Sequence, residues 1–284
     1  MPTPERSEPV RREPVLPPYP PELQAVSDQV AINAAAKRRK QAMVRVAPIL
    51  SIMLPGLYLA SRSATVLPAA GAASATANSY TTDFPRAENP IFEGGKWING
   101  RAGLDWGDVR TVPGFAFGIE AGGNRPEPDK YDDPTAILSG KWGPNQTAQA
   151  KVHRTNKDND HVWQEVELRL RSSITPHNAT GYEIMFRCSK SPEAYCNIAR
   201  WDGILGAFVM LKTTKGSEYG VADRDEVKAT IKGDVITVYK NGAEIVQTKD
   251  YLFKAGNPGI GFYLEGATGV NNQCGFSSFR ATSE

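Results

Sequence analysis

An all-β fold is predicted from three features of the sequence. Residues 232–250, KGDVITVYKNGAEIVQTKD, hold two runs rich in Val and Ile joined by Asn241-Gly242. That pair tolerates the positive φ of a tight type I′ turn, so a β-hairpin is expected there. In DEVKATIKG, Val227, Ala229 and Ile231 alternate with Glu226, Lys228, Thr230 and Lys232, and PGIGFYLEG sets Ile260, Phe262 and Leu264 on one side. Period two marks strands with one buried face. After residue 80 no stretch keeps a helical period. The 284 residues, 40% hydrophobic with 26 Gly and 21 Pro, suffice for a sizeable core in a turn-rich domain.

The residues before 78 read differently. Eight prolines fall within the first 22 residues, too dense for a packed core, so residues 1–43 are expected to be a Pro-rich, basic, disordered tail. Residues 44–77 follow the plan of an export signal. Lys37, Arg38, Arg39, Lys40 and Arg45 precede the uncharged stretch 46–61, and Ala73-Ser74-Ala75 or Ala75-Thr76-Ala77 supplies a small-x-small cleavage site. Two readings of the long tail stay open: translation from near Met43, or an uncleaved segment 46–61 that anchors the protein in the inner membrane. Pro48, Pro55 and a length below the ~20 residues of a comfortable span favour cleavage near Asn78. The expected location is secreted or periplasmic, with residues 78–284 as the folded domain.

Nine of the 33 basic and five of the 31 acidic residues lie in residues 1–77, leaving 24 basic and 26 acidic residues in the folded part. Its net charge is close to −2. It has no basic stripe, no Gly-rich phosphate loop and no aromatic RNA-binding signature, so nucleic acid is not the expected partner. Cys188 and Cys196 flank a short Pro-containing loop, and a disulfide between them is expected in an oxidising compartment. Cys274 is left as a small buried residue of the last strand.

Several segments follow one another in a familiar order: YDDPTAILSGKWGPNQTAQAKV, GYEIMFRC, IARWDGILGAFVML, GDVITVYKNGAEIV and AGNPGIGFYLEG, then CGFSSFRAT. Over about residues 80–284 the chain resembles the concanavalin A-like lectin/glucanase superfamily of secreted bacterial proteins, laminin G-like domains included. The resemblance implies a jelly-roll sandwich of two antiparallel sheets. It also implies a choice among lectins, glucanases, polysaccharide lyases and interaction modules, because fold does not fix function.

The catalytic patterns of those branches are incomplete here. Retaining glucanases carry E-x-D-x-x-E on one strand, which sets nucleophile and acid on one face. WQEVELRLR places Glu165 and Glu167 on one face but continues with Arg169 and Arg171. Alginate lyases combine R-[ST]-E-x-R, Q-[IV]-H and Y-F-K-A-G-x-Y. ELRLR and YLFKAGNP resemble the first and third, the middle motif is missing, and Pro258 stands where the lyase carries tyrosine. No G-x-S-x-G elbow is present. His153, His161 and His177 lack metal-ligand spacing. Asp158-Asn159-Asp160 offers oxygens to a structural calcium but lacks the glycine and distal carboxylate of a calcium loop, so it reads as a solvated turn and no cofactor is expected.

Strand parity gives the candidate site. In HVWQEVELRLRS, Val162, Val166, Leu168 and Leu170 share one parity, which sets Trp163, Glu165, Glu167, Arg169 and Arg171 together on the opposite face. In GYEIMFRC, Tyr182, Ile184 and Phe186 turn inward, leaving Glu183, Met185 and Arg187 outward. ARWDGILG adds Arg200, Trp201 and Asp202, and a later strand adds Tyr263 and Glu265. Indoles stack on the apolar faces of sugars while the sugar hydroxyls take bidentate hydrogen bonds with charged groups. Paired Glu and Arg across strands would give the same pattern for purely structural reasons. Trp97, Trp106 and Trp142 sit in Gly-rich segments and are expected to be packing anchors. The expectation is an exported, non-catalytic module that binds a polysaccharide or cell-surface glycan. The alternatives are a glycan-active enzyme with a non-standard site and a protein-binding adhesion module.

Overall fold

The computed structural model describes residues 77–100, 106–119, 133–155, 163–175, 178–204, 207–265 and 271–284. The tail and the apolar segment 46–61 lie outside the described residues, as does Asp158-Asn159-Asp160. Fifteen strands are described: β1 Asn78–Thr82, β2 Trp97–Asn99, β3 Val109–Val112, β4 Phe115–Gly118, β5 Thr135–Leu138, β6 Gln146–Arg154, β7 Trp163–Thr175, β8 Asn178–Arg187, β9 Cys196–Ile204, β10 Phe208–Lys212, β11 Glu226–Lys232, β12 Val235–Lys240, β13 Ala243–Lys249, β14 Asn257–Glu265 and β15 Cys274–Ser283. A single 3-10 turn, Asn271–Gln273, precedes β15. Among the described residues no helix is long and apolar enough to cross a membrane.

The strands pair antiparallel into two sheets. One runs β13-β12-β11-β6-β15-β4-β3 with β1 on β15, and the other runs β10-β9-β8-β7-β14-β5-β2. The fold is the expected jelly-roll sandwich of two antiparallel sheets. The predicted hairpin is β12–β13, with Asn241 at φ 50° and Gly242 at φ 82°, the two left-handed positions that a type I′ turn requires.

The core lies between the sheets and follows the predicted parities. Val166, Leu168 and Leu170 from β7, Tyr182, Ile184 and Phe186 from β8, and Ile260 and Phe262 from β14 are buried in one cluster with Ala148, Ala150 and Val152 of β6. Val227, Ala229 and Ile231 of β11 complete it on the far side. Fully burying each large aliphatic or aromatic side chain contributes about 1.5–3 kcal/mol, which holds the alternation in register. Trp97 packs in the same cluster, tilted against Phe279 at 5.5 Å.

The disulfide differs from the sequence expectation. Cys188 is bonded to Cys274, across 86 residues of sequence, and Cys196 is the free, buried thiol. The reason lies in the register of β8 and β9, where Cys196 stands opposite Phe186. Cys188, two residues further on, is therefore a diagonal neighbour. The two cysteines are thus offset along the strands, whereas Cys274 stands at a Cα–Cα distance of 6.9 Å from Cys188, where the bond forms. The bridge instead ties the end of β8 in one sheet to the start of β15 in the other, so Cys274 is not the spare small residue. Cys196 holds that place, and burial pushes its thiol pKa up.

Candidate functional site

The outer face of the β10–β2 sheet carries the outward residues of β7 in three cross-strand rows. Glu165 lies between Arg187 of β8 and Tyr263 of β14, Glu167 between Met185 and Gly261, and Arg169 between Glu183 and Gly259. Glu183 leads on to Ala199 of β9, and Ala199 to Met210 of β10, while Trp201 stands opposite Phe208. Parity thus brings Glu165, Glu167, Arg169, Glu183, Arg187, Trp201 and Tyr263 to one face, as the sequence implies.

These side chains are far more buried than outward positions of an open sheet. Glu167 is 1% exposed, and Arg169 and Trp201 are each 3% exposed. A cavity of about 210 Å³ opens beside them. Among the described residues its polar lining is Asp133, Glu165, Glu167 and Glu183, and its apolar wall is Met185, Ala199, Trp201, Phe208 and Tyr263. Phe208 and Met210, 39% and 40% exposed, mark the rim at the sheet edge.

Arg169 organises the floor of the cavity. Its Nη2 donates to Glu167 Oε2 at 2.7 Å and to Thr135 Oγ1 at 3.1 Å, and lies 3.0 Å from Glu183 Oε1. Trp201 Nε1 donates to the other oxygen of Glu183, and the Tyr195 hydroxyl donates to Glu165. The guanidinium also lies over two indole rings, 5.8 Å from Trp106 and 6.0 Å from Trp201, which meet edge to face at 4.7 Å. Gly261 makes room for this arrangement, because a Cβ there would lie 2.2 Å from Glu167 Oε2 and 3.0 Å from Arg169 Nε.

Burial pushes the Glu167 pKa well above the usual carboxylate range. The neighbouring Glu183 and Asp133 add to the rise, and Arg169 opposes it. The Arg169 pKa is raised: its own burial opposes this, but the surrounding carboxylates outweigh it. One buried guanidinium facing several carboxyls favours retention of a proton at Glu167.

Three predicted residues are placed elsewhere. Arg171 is not on this face. It adopts φ 47° at the register shift between Leu170 and Ser173, and this bulge turns the side chain toward the end of the sandwich. There Nε, Nη1 and Nη2 donate to the carbonyls of Pro144, Phe253 and Gly233 at 2.7, 2.8 and 2.8 Å. Arg200 and Asp202 alternate with Trp201 and so leave the face too. Arg200 pairs with Asp202 at 2.6 Å and with Asp250 at 2.5 Å, and Asp250 accepts the Tyr182 hydroxyl at 2.8 Å. Trp163 pairs through its backbone with Glu265, and the side chains of both lie outside the described residues.

Trp106, Asp133, Thr135 and Gly261 are site residues that sequence reasoning missed. Trp106 was expected to be a packing anchor, and it is one, but what it packs against is the site's own Trp201 and Arg169. The spacing Gly259-x-Gly261 on a strand face was the readable signal, since glycine inside a strand marks a close approach.

No family model matches the chain, and no curated protein matches it in sequence. Solved structures with similarity include a carbohydrate-binding module from Bacillus subtilis, at 12% identity and a TM-score of 0.43 over 66% of this chain and 92% of that one. The kappa-carrageenase from Pseudoalteromonas carrageenovora, in complex with a kappa-carrageenan oligotetrasaccharide, has 9% identity and a TM-score of 0.47 over 77% and 99% of the two chains. The metal-free carbohydrate recognition domain of Emp46p has 9% identity and a TM-score of 0.46 over 71% and 95%. These likenesses carry no part of the functional reading, which rests on the side chains above.

Chemically, the cavity offers an aromatic wall for stacking and carboxyl oxygens for hydroxyl donors. Among the described residues no three His, Cys, Asp or Glu side chains are grouped to hold a metal ion. His153 instead meets Asp223 at 3.4 Å, edge-on to Phe115.

Proposed function

We propose that this protein is an exported glycan-binding module whose site is the cavity on the outer face of the β10–β2 sheet, and that it binds without cleaving. One observation carries the reading: an aromatic wall and a set of carboxyl acceptors border one cavity, with the acceptors fixed by a guanidinium beneath them. A sugar presents the complementary pair of surfaces, an apolar ring face and peripheral hydroxyls. Binding without turnover is supported by the position of Arg169. Glycosidases need one carboxyl to deliver a proton and a second to attack or activate water, and here a single Arg169 nitrogen engages both Glu167 and Glu183. Export is supported by the signal-like residues 44–77 and by the Cys188–Cys274 disulfide.

The test is isothermal titration and affinity electrophoresis against a panel of soluble polysaccharides, with reducing ends assayed in parallel. Binding of at least one polysaccharide with no release of reducing ends is the expected result. Phe208→Ala, at an exposed wall position, should weaken binding by about 1–3 kcal/mol and change unfolding stability by less than ~0.5 kcal/mol. The raised Glu167 pKa favours a second reading, glycan cleavage with Glu167 as the acid. Reducing ends or unsaturated products that disappear in Glu167→Gln would establish cleavage in place of simple binding.

A further inference from the structure

We infer that the outer face of the other sheet, the one that runs from β13 to β3, is a second docking surface and takes an extended acidic polysaccharide laid across its strands. Every residue involved lies on the side of the sandwich away from the cavity, so this surface stands or falls independently of the reading above.

Parity sets this face. Val227, Ala229 and Ile231 of β11 point into the core, so Lys228, Thr230 and Lys232 point out. Cross-strand register then lines up four hydroxyls: Thr282 of β15 stands opposite Thr147 of β6, Thr147 opposite Thr230, and Thr230 opposite Thr237 of β12. Cations flank that row on both sides. On one side Arg280 is opposite Gln149 and Gln149 opposite Lys228; on the other Lys232 is opposite Val235 and Val235 opposite Lys249. A groove of about 440 Å³ follows the row, bordered by Thr147, Thr230 and Thr237 together with Lys228 and Lys232. Lys228 is held in position, with its Nζ 4.1 Å from the centre of the Tyr239 ring. The carboxylates of this face stand toward its margins: Glu226 opposite Lys151, Glu244 at 3.5 Å from the Gln247 amide, and Glu284 at the chain end beside Asn145.

The spacing and the charge both describe the occupant. Threonines in neighbouring strands repeat at about 4.7–4.9 Å, close to the advance per ring of an extended pyranose chain. A polymer that crosses the strands therefore meets one hydroxyl for each ring, and a hydroxyl can both donate to it and accept from it. Four strands span about 14 Å, room for roughly three rings. Carboxylate or sulfate groups on the edges of such a chain reach the cations that flank the row, and hydrogen bonds between ionised partners are roughly twice as strong as neutral ones. A neutral chain leaves those cations unused. Nucleic acid fits less well, because single strands bind by stacking bases on open rings, and Tyr239, which lines this groove, is engaged by Lys228.

The experiment titrates the full chain at pH 7 with three probes: an oligogalacturonate, a neutral glucose oligomer of equal length and an oligodeoxythymidylate of equal charge. The oligogalacturonate should bind tightest, and its affinity should fall roughly tenfold between 0.1 M and 1 M salt, as the screening length drops from ~10 Å to ~3 Å. Lys228→Gln with Lys232→Gln should weaken it roughly tenfold at an unchanged urea midpoint. Arginine at both positions should retain it, and Phe208→Ala, in the wall of the cavity, should leave it unchanged. In the unmodified chain, the backbone amide resonances that move on adding oligogalacturonate should be those of β6, β11 and β12. Equal affinity for the oligodeoxythymidylate or the glucose oligomer overturns the acidic polysaccharide as occupant. Resonances that move only in β7 and β14, or a loss in Phe208→Ala alone, place the ligand in the cavity and overturn the second surface while leaving the cavity reading intact. Absence of oligogalacturonate binding overturns the second surface as well. The resonances are those of the unmodified chain, so the outcome stands even if the lysine variants do not fold.

Discussion

Arg171→Met separates the role that parity assigns to Arg171 from the one that the structure gives it. Arg171 is 1% exposed and makes three charged hydrogen bonds to backbone carbonyls of three separate loops, at Pro144, Phe253 and Gly233. A hydrogen bond to a charged group contributes about 1.5–3 kcal/mol, so simple addition gives about 5–9 kcal/mol. That sum is too large. Pro144 and Gly233 are exposed, so their carbonyls can recover water when the guanidinium is removed. A net loss of about 2–4 kcal/mol is therefore expected, with methionine keeping most of the packing volume. With m about 1–3 kcal/mol/M in urea, a 3 kcal/mol loss lowers the midpoint by about 1–3 M. Arg171→Lys should fall in between, since one ammonium cannot span three carbonyls set for a planar fork. Glycan affinity of the folded variant should equal that of the parent, because Arg171 does not border the cavity. A loss below ~1 kcal/mol accompanied by lost binding would put Arg171 back on the outer face and refute the clamp.

Three further outcomes are expected. Peptide mapping without reductant should find Cys188 linked to Cys274 and Cys196 alkylated only after unfolding; Cys188→Ser with Cys274→Ser should cost about 3–5 kcal/mol, the range for a closed loop of this length. Gly261→Ala should weaken glycan binding more than it lowers the urea midpoint, because its Cβ displaces the Glu167 carboxyl; equal affinity in titration would contradict the close approach. Glu167 has a folded-state pKa raised above its unfolded value, so its contribution to stability is fully present below the unfolded pKa, near 4.5, and is lost as pH rises through the folded pKa. Glu167→Gln should therefore match the parent in acid and become relatively more stable as pH rises, whereas urea midpoints that fall further behind the parent with rising pH would show that Glu167 is held as a carboxylate.

How much of this was legible in the sequence follows the range of each interaction. The Asn241-Gly242 turn and the buried alternation of β11 are local, and both could be read from a few neighbouring residues. The inward sets of β7 and β8 were legible for the same reason: a period of two and one buried face fix the register. The bulge at Arg171 was not, since one extra residue resets the parity beyond Leu170 and nothing in RSS announces it. The disulfide was not legible either. Nearness in sequence favoured Cys188 with Cys196, but the bond depends on which strand ends meet across the two sheets, and that is set by topology.

The site shows the same division. Parity correctly gathered Glu165, Glu167, Arg169, Glu183 and Arg187, yet it could not say whether they face open solvent or a covered floor. What decides this is Trp106, brought in from the chain between β2 and β3 to meet Trp201 edge to face and flank Arg169. Burial changes the chemistry of the set. In water an Arg–Glu pair on a β-face contributes at most ~1 kcal/mol and leaves both side chains mobile. Beneath an indole the same pair keeps its geometry, shifts a pKa and presents carboxyl oxygens at fixed positions. A ligand then has few side chains left to order, and ordering costs about 0.5–1.5 kcal/mol for each flexible side chain immobilised. Arg169 is thus the residue through which packing becomes recognition: its contact with two tryptophans fixes it, and it in turn fixes Glu167 and Glu183.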